Sequence, residues 1–355
     1  MKPVVMILAG GTGGHVFPAL AVAEQWRARG LVVEWIGSAA GIEARLVPAA
    51  GITLHTLPVR GLRGKGWRER LRALSLLLGA TYRAWRLMRR DAVCLALGMG
   101  GYASGPAGLA ARLAGVPLVI HEQNAAPGLS NRLLAHLASR VLTGFPQVLP
   151  GRHTVYVGNP VRAQILAVAP PQQRQRVRAG LHLLVLGGSQ GAEALNVLVP
   201  QALTLLAQEQ ALVVVHQCGE RHVAATEQRY AALSGPVDVR GFIDDMAAAY
   251  ADADLVICRA GALTIAELAA VGVASLLIPL PQAVDDHQRR NAEFLSQNGA
   301  AVLCPQQDLD VAGLLAALRP LCVAGRLSAM ALQARQLARP QATQAVIEQC
   351  DEVMR

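Results

Sequence analysis

Short apolar runs alternate along this chain with stretches whose apolar residues recur at helical spacing. The runs are VVMILA (4–9), LVVEWIG (31–37), VCLALG (93–98), PLVIHEQ (117–123) and RVLTGF (140–145), then LHLLVLGG (181–188), ALVVVHQCG (211–219), DLVICR (254–259) and SLLIPL (275–280). Continuous apolar strands separated by helices are typical of parallel sheets that helices cover on both faces. The pattern predicts an α/β protein with two doubly wound, Rossmann-like domains that face each other across a cleft.

A crude internal repeat indicates where each domain begins. LAGGTGG (8–14) and LGGSQGA (186–192) both place a glycine turn after an apolar run and before a helical stretch. Between them, 157–180 is rich in proline, glutamine and arginine, as linkers often are. We predict domains over 1–161 and 162–338, and a terminal helix over 339–355 that could pack back on the first domain.

The bulk composition excludes several classes of protein. The 355 residues are 53% hydrophobic and 16% charged, which is typical of folded domains and not of disordered chains. The six cysteines form no CxxC pair, so we expect a reducing compartment and neither a zinc site nor a disulfide framework. The longest uncharged windows contain glycine and proline, so we expect no membrane-spanning helix, and no signal-peptide pattern is found at the amino terminus.

The glycine-rich stretches have more than one possible role. GGTGGH (10–15) fails the GxGxxG pattern of dinucleotide-binding proteins, whereas GMGGYA (98–103) fits a looser form, with Glu122 as the acid for a ribose. A nicotinamide cofactor is therefore one alternative, and tight turns with positive φ are another. A third is that the glycines let a phosphate or a sugar approach the amides at a helix N-terminus.

A second candidate site is CRAGALTIAELAAVG (258–272), where an apolar run ends in a glycine turn. Thr264 and Glu267 follow this turn at the start of a predicted helix. The two residues fit a capping box, which needs no ligand. Alternatively, the Glu267 carboxylate could bridge the two hydroxyls of a ribose while the helix amides meet a pyrophosphate.

Several longer motifs occur in a characteristic order. They are GGTGGHVFPALAVAE, GYASGPAGLAA, HEQNAAPGLSNRLLA, VGNPVR, LGGSQGA, GFIDDM and CRAGALTIAELAAVG. In this order and spacing the chain resembles the MurG family of peptidoglycan N-acetylglucosaminyltransferases, from about residue 4 to about residue 300. The resemblance implies GT-B architecture and an inverting transfer from UDP-N-acetylglucosamine to lipid I, undecaprenyl-pyrophosphoryl-N-acetylmuramyl-pentapeptide, which gives lipid II.

The same resemblance implies which residues bind the substrates. The backbone of Ile243 would read the uracil, Glu267 the ribose and Gln288 the sugar hydroxyls. The remaining contacts would come from Thr12, Gly13, Gly14, Asn124, Arg162, Ser189, Ala262, Leu263, Thr264, Ile265 and Ala266. The chain departs from the family pattern at His287, where many members carry glutamine, and at Ala266, where serine is frequent; these departures affect the sugar contacts and one hydrogen bond.

An inverting transfer needs a base that removes the proton of the attacking hydroxyl. His15, whose ordinary pKa is ~6.5, is one candidate and Glu122 is the other. His15 could instead bind a phosphate or cap a helix, and Glu122 could be structural. Asp252-Ala-Asp254 resembles a metal-binding pair but precedes its strand, so we interpret it as a solvated turn and expect no metal and no cofactor. Helix N-termini and Arg162 would then offset the charge of the departing diphosphate.

A basic segment over 60–90 contains ten lysine or arginine residues and one acid, and its leucines recur at helical spacing. One interpretation is a packed helix with solvated charges; nucleic-acid binding lacks a supporting motif. We favour contact with an anionic membrane, because arginines can meet lipid headgroups while apolar side chains enter the interface. The predicted contacts are Arg63, Lys65, Trp67, Arg68, Leu71, Arg72, Leu74, Leu77 and Leu78.

These predictions describe a peripheral enzyme at the cytoplasmic face of the cell inner membrane, with UDP-N-acetylglucosamine, lipid I and other cell-wall synthesis proteins as partners. The net charge of +9 agrees with an anionic membrane surface. A UDP-N-acetylglucosamine epimerase and a nonenzymatic membrane scaffold are the competing hypotheses. The arginine- and leucine-rich segment argues against the first, and the joint presence of His15, Arg162, Glu267 and Gln288 argues against the second.

Overall fold

A computed structural model describes residues 2–58, 67–174, 179–188, 191–281 and 283–354, and of 67–74 and 284 it describes the backbone only. The chain divides into two compact units. The first comprises Met1–Arg162 with Pro340–Arg355, and the second comprises Ala163–Arg339. These boundaries lie one residue beyond those expected from the sequence.

The first unit is built on a parallel sheet. In the described ranges its strands are β1 (Val4–Ala9), β2 (Val32–Gly37), β3 (Thr53–Thr56), β4 (Val93–Gly100), β5 (Leu118–Glu122), β6 (Arg140–Thr143) and β7 (Thr154–Tyr156). They lie in the order β3-β2-β1-β4-β5-β6-β7, so the order reverses between β1 and β4. In open parallel sheets, ligands bind outside the carboxyl ends of the strands at such a reversal.

Helices cover both faces of this sheet. They are α1 (Gly13–Ala28), α2 (Glu43–Ala49), α3 (Trp67–Arg90), α4 (Ser104–Leu113) and α5 (Leu129–Leu134). One core cluster joins α1 through Val16, Ala19 and Trp26 to one face of β1 and β4. A second cluster joins α3 and α4 to the other face. The sheet is therefore buried on both sides, which explains its continuous apolar strands.

The second unit repeats this plan. Its described strands are β8 (Leu181–Leu186), β9 (Leu212–Gln217), β10 (Val237–Arg240), β11 (Leu255–Cys258), β12 (Ala274–Leu277) and β13 (Ala301–Leu303). They are parallel in the order β10-β9-β8-β11-β12-β13, so the order reverses between β8 and β11. Its helices are α6 (Ala163–Leu166), α7 (Glu193–Leu206), α8 (Val223–Arg229), α9 (Met246–Asp252), α10 (Ala262–Val271), α11 (His287–Ser296), α12 (Val311–Leu318) and α13 (Arg326–Gln336).

The last helix, α14 (Ala342–Met354), packs in the first unit. Val346, Ile347 and Cys350 are fully buried in the same core cluster as α1. Its outer side adds an ion pair at 3.1 Å from the Arg29 guanidinium to the Asp351 carboxylate. The second unit is therefore an insertion between the main part of the first unit and this helix.

Helix α3 has one packed side and one exposed side. Ala80, Ala84 and Met88 are buried against the sheet, whereas the side chains of Leu78 and Tyr82 are exposed by 62% and 58%. Within the ranges that the structure covers, no single helix is long and apolar enough to cross a membrane, and one pair bent by 89°, Val311–Cys322 with Arg326–Gln336, passes that test by length and composition only.

Candidate functional site

The turn between β1 and α1 carries the first candidate residues. Gly11 has φ +93°, a left-handed conformation that glycine adopts without strain. Thr12 is the N-cap of α1 with extended backbone, and its side chain forms no capping bond among the described residues. The first amides of a helix have no intrahelical acceptor, so those of Gly13 and Gly14 can donate to an oxygen ligand.

The ring of His15 is oriented by this turn. Nδ1 lies 3.2 Å from the Gly10 carbonyl oxygen and 3.5 Å from the Thr12 hydroxyl. A carbonyl oxygen only accepts hydrogen bonds, so this contact favours the neutral tautomer of His15 with the proton on Nδ1. In that tautomer Nε2 carries the lone pair, which is the form that a general base requires.

The glycine turn after β4 packs directly against the turn after β1. The Gly10 amide donates to the Gly100 carbonyl at 3.3 Å, and Gly100 and Gly101 have φ +98° and +92°. A side chain at Gly100 would lie about 3 Å from the His15 ring, and one at Gly101 would collide with the Gly10 carbonyl. Close packing of two turns therefore accounts for these glycines, and a nicotinamide cofactor is not needed to explain them.

Glu122 ends β5 and is 2% exposed. Its Oε1 accepts hydrogen bonds from the amide and the side chain of Asn124, at 2.9 and 3.2 Å. Its Oε2 accepts from the Gly128 amide at 3.1 Å and from the Asn131 side chain at 2.9 Å. With two donors on each oxygen, the carboxylate organises the loop after β5, and the geometry does not favour it as the base.

Replacement of Glu122 by Gln tests this structural role. The new NH2 group would face a backbone N–H, so we expect the free energy of unfolding to fall by ~1–3 kcal/mol. All four tryptophans, at 26, 35, 67 and 85, belong to the first unit, so tryptophan fluorescence during urea unfolding reports on that unit. Glu24→Gln, on an exposed side chain of α1, is the matched control with no expected change. A Glu122→Gln protein that is as stable as the wild type but inactive would contradict the structural role and support Glu122 as the base.

The segment that follows β7 is tied to the loop after β5. The Asn159 side chain donates to the Gln123 carbonyl at 3.0 Å, and His121 Nε2 donates to the Gly158 carbonyl at 2.9 Å. Burial lowers the pKa of His121 to about 4, so this histidine is neutral near pH 7. The Arg162 guanidinium lies 5.2 Å from the centre of the Phe17 ring, which brings a positive charge close to α1.

In the second unit, the loops after β8 and β11 are neighbours because these strands pair. Ser189 lies outside the described residues, so its predicted role stays a prediction. The Gln217 side chain donates to the Gly188 carbonyl at 2.8 Å and to the Gly241 carbonyl at 3.3 Å. It thus ties the glycine turn after β8 to the loop that carries Ile243, which is 4% exposed. The sequence analysis missed Gln217, which ends an apolar strand with a polar side chain.

Helix α10 begins at Ala262, and Gly261 is its N-cap with extended backbone. Leu263, Thr264, Ile265 and Ala266 all lie in its first turns. The capping-box alternative is therefore wrong, because Thr264 lies inside the helix and not at its N-cap. Glu267 is 5% exposed, and its Oε2 accepts a hydrogen bond from the Tyr250 hydroxyl at 3.1 Å.

Helix α11 holds the turn before α10 in place. Gln288 Oε1 accepts hydrogen bonds from the amides of Leu280 at 3.0 Å and Ala260 at 3.3 Å. The Asn291 side chain, fully buried, donates to the Ala260 carbonyl at 3.1 Å. With its oxygen used in this way, the NH2 group is the part of the Gln288 side chain that could donate to a ligand. The sequence analysis missed Asn291, although it stands three residues after Gln288 on the same helix face.

The Asp252-Ala-Asp254 segment lies at the amino end of β11. The Asp254 carboxylate accepts a hydrogen bond from the His182 amide at 2.9 Å, and Asp252 lies 3.1 Å from His182 Nδ1. The predicted solvated turn is wrong for Asp254, which is half-buried and anchors the start of β8. Asp252 is exposed, and neither carboxylate belongs to the carboxyl edge of the sheet.

Both halves of the chain match known domain families. Residues 5–143 match the glycosyltransferase family 28 N-terminal domain and residues 182–346 match the family 28 C-terminal domain. The chain is 52% identical over 353 residues to the UDP-N-acetylglucosamine--N-acetylmuramyl-(pentapeptide) pyrophosphoryl-undecaprenol N-acetylglucosamine transferase of Stutzerimonas stutzeri (strain A1501), with 98% of each chain covered. It is 51% identical over 359 residues to the same-named protein of Ectopseudomonas mendocina (strain ymp), with 100% of each covered.

Among solved structures, the chain is similar to Acinetobacter baumannii MurG, with a TM-score of 0.87 and 41% identity over 99% of this chain and 100% of that one. Two doubly wound parallel sheets with glycine turns at their strand reversals define a class of protein, the GT-B glycosyltransferases that use a nucleotide sugar. This confirms the predicted fold class. Within that class, the chain belongs to glycosyltransferase family 28 and, by its full-length relatives, to the MurG family.

Proposed function

We propose that this chain transfers N-acetylglucosamine from UDP-N-acetylglucosamine to the 4-hydroxyl of the N-acetylmuramyl residue of lipid I. The products are UDP and lipid II, and the anomeric carbon is inverted. The observation that carries the proposal is 51–52% identity, over 98–100% of the chain, to relatives named for this reaction. The residues at the two strand reversals supply the chemistry that the reaction needs.

On the acceptor side, His15 is the general base. Its Nε2 lone pair takes the proton of the 4-hydroxyl as the oxygen attacks the anomeric carbon and the bond to UDP breaks. The amides of Gly13 and Gly14, the nearby Arg162 and the Asn124 side chain bind oxygens of the substrates. Glu122 acts through Asn124, whose amide and side chain it holds at 2.9 and 3.2 Å.

On the donor side, the second unit binds the nucleotide. The Glu267 carboxylate accepts hydrogen bonds from the two ribose hydroxyls, and the Ile243 backbone pairs with uracil. The first turn of α10 and the glycine turn after β8, with Ser189, meet the pyrophosphate, whose charge is favoured at helix N-termini. The Gln288 NH2 group binds the sugar hydroxyls, and His287, at the start of the same helix, lies beside it.

A direct assay tests the proposal. Purified protein is incubated with labelled UDP-N-acetylglucosamine and a short-chain, water-soluble analogue of lipid I, and products are separated by chromatography. We expect a labelled disaccharide product and free UDP in equal amounts. Release of UDP without a disaccharide, or interconversion of the UDP-sugar without transfer, would refute the proposal and support a hydrolase or an epimerase.

We also propose that the enzyme is peripheral at the inner membrane and that α3 contacts the lipid surface. Arg63 and Lys65 lie outside the described residues, and of Trp67, Arg68, Leu71, Arg72 and Leu74 only the backbone is described, within α3. Leu77 is half-buried, and Leu78, one turn before Tyr82, is exposed. The arginines at 83, 86 and 89 are exposed on the same helix. Apolar and basic side chains side by side favour an anionic interface.

The double variant Leu78→Ser/Tyr82→Ser tests this surface. We expect binding to vesicles with anionic lipids to fall about tenfold or more, because two apolar side chains no longer enter the interface. Activity on a water-soluble acceptor should stay unchanged. Leu205→Ser, on an exposed leucine of the second unit, is the control. Vesicle binding is measured by flotation. Equal binding by the double variant and the wild type would show that this face of α3 does not contact the membrane.

A further inference from the structure

Glu43, the first residue of α2, is buried beneath the glycine turn that holds His15. Its side chain is 0% exposed. Oε2 accepts a hydrogen bond from the Gly11 amide at 2.9 Å, and Oε1 accepts from the Ser38 amide at 2.9 Å and the Ser38 hydroxyl at 2.7 Å. A buried carboxylate that holds a backbone N–H of a candidate catalytic turn requires an explanation, because burial of a charge is costly.

The glycines around Glu43 leave room for this carboxylate. A Cβ at Gly10, Gly37 or Gly41 would collide with the Glu43 side chain. These three positions lie on three different segments, after β1, at the end of β2 and before α2. Contact with the Glu43 side chain therefore explains why residue 10 is a glycine, without any ligand. The three segments pack closely around the carboxylate.

Glu43 is held in its ionised form. Burial by itself would raise the pKa of its carboxyl group, but the hydrogen bonds from the Ser38 hydroxyl, the Ser38 amide and the Gly11 amide outweigh burial and hold the pKa below its usual range. The carboxylate is therefore an acceptor at neutral pH and has no proton to donate.

A short chain of contacts joins this carboxylate to His15. Glu43 fixes the Gly11 amide, and the same peptide unit contains the Gly10 carbonyl, whose direction is set once the peptide plane is set. That carbonyl accepts the hydrogen bond from His15 Nδ1 at 3.2 Å. We propose that Glu43 is a positioning residue that, through the Gly10–Gly11 peptide, holds His15 in the tautomer with its lone pair on Nε2. The catalytic consequence rests on the proposed function, whereas the effect on the tautomer does not.

Glu43→Gln is the variant that tests the proposal. An amide has one oxygen, so in either orientation its NH2 group faces a backbone N–H, that of Gly11 or that of Ser38. Ser38→Ala is a milder second variant, because it removes the hydroxyl donor and keeps the carboxylate. Glu34→Gln is the matched control: Glu34 lies on β2 in the same unit, and its carboxylate is 2.8 Å from His55 Nε2.

The first readout is the tautomer of His15. Nitrogen NMR of protein with 15N-labelled histidine separates protonated from unprotonated ring nitrogens, and the signals missing in His15→Gln identify those of His15. We expect the wild type and Glu34→Gln to show a proton on Nδ1. Glu43→Gln should show a raised fraction with the proton on Nε2, and Ser38→Ala a smaller change in the same direction.

The second readout is steady-state kinetics. In Glu43→Gln we expect kcat to fall about tenfold to 10²-fold, as a small misplacement of a catalytic group does, while KM for the donor changes less than about twofold. An unchanged tautomer in both Glu43→Gln and Ser38→Ala would overturn the proposal, as would a kcat loss no larger than the loss of folded protein. If the wild type shows no transferase activity and Glu43→Gln still changes the tautomer of His15, the proposed function is refuted and the positioning role remains supported.

Discussion

Replacement of His15 by Ala is expected to lower kcat by ~10²–10⁴-fold, because it removes the group that we propose takes the proton of the attacking hydroxyl. KM for the donor should change less than about twofold, since we propose that the second unit binds most of the donor. Steady-state kinetics measures both quantities.

The structure provides a matched control for His15. His136 lies in the same unit and is exposed, so His136→Ala should keep the wild-type kcat and KM. Isothermal titration with UDP should give the same affinity for wild type, His15→Ala and His136→Ala. If His15→Ala keeps more than about a third of the wild-type kcat, His15 is not the base. Binding of a phosphate would then be the better explanation of its position.

Replacement of Glu267 by Ala is expected to weaken UDP binding on the order of 10²-fold. A hydrogen bond to a charged group contributes ~1.5–3 kcal/mol, and the carboxylate is proposed to accept one from each ribose hydroxyl. The effect should appear in KM for the donor and in the calorimetric affinity for UDP, with a smaller change in kcat. Titration of UDP into the purified variant measures the affinity directly.

Tyr250→Phe separates the ribose contact from the structural one. This variant removes the hydroxyl that donates to Glu267 at 3.1 Å and leaves the carboxylate in place. We expect UDP affinity to fall at most a few fold, well short of the loss in Glu267→Ala. If the two variants weaken UDP binding equally, or if Glu267→Ala binds UDP normally, then Glu267 serves the packing of α9 on α10 and not the nucleotide.

The central strands of both sheets could be predicted from the sequence, and the edge strands could not. The apolar runs coincide with β1, β2, β4, β5 and β6 of the first unit and with β8, β9, β11 and β12 of the second. The strands that the runs do not include are β3, β7, β10 and β13, which are the four sheet edges. An edge strand has one neighbour and is only partly buried, as in β10, so its residues need not form a continuous apolar run.

The candidate site shows a similar division. The motifs placed His15 at the turn after the first strand, Glu122 in an apolar strand and Glu267 inside a helix, and the structure has them there. They did not reveal that both Glu122 oxygens are occupied by Asn124, Gly128 and Asn131. Residues such as Gln217, Asn291 and Glu43 were missed, because each acts on a backbone group of a segment distant in the sequence.

The sequence by itself determined the number of domains expected, the central parallel strands, the glycine turns and the family. Each of these depends on local patterning or on long motifs, and both can be recognised in the sequence without knowledge of the fold. The tertiary structure decided which carboxylate is saturated, which nitrogen of His15 faces the Gly10 carbonyl and why Gly10 is a glycine. Those properties arise from hydrogen bonds and close contacts between segments such as β1 and α2, which only folding brings together.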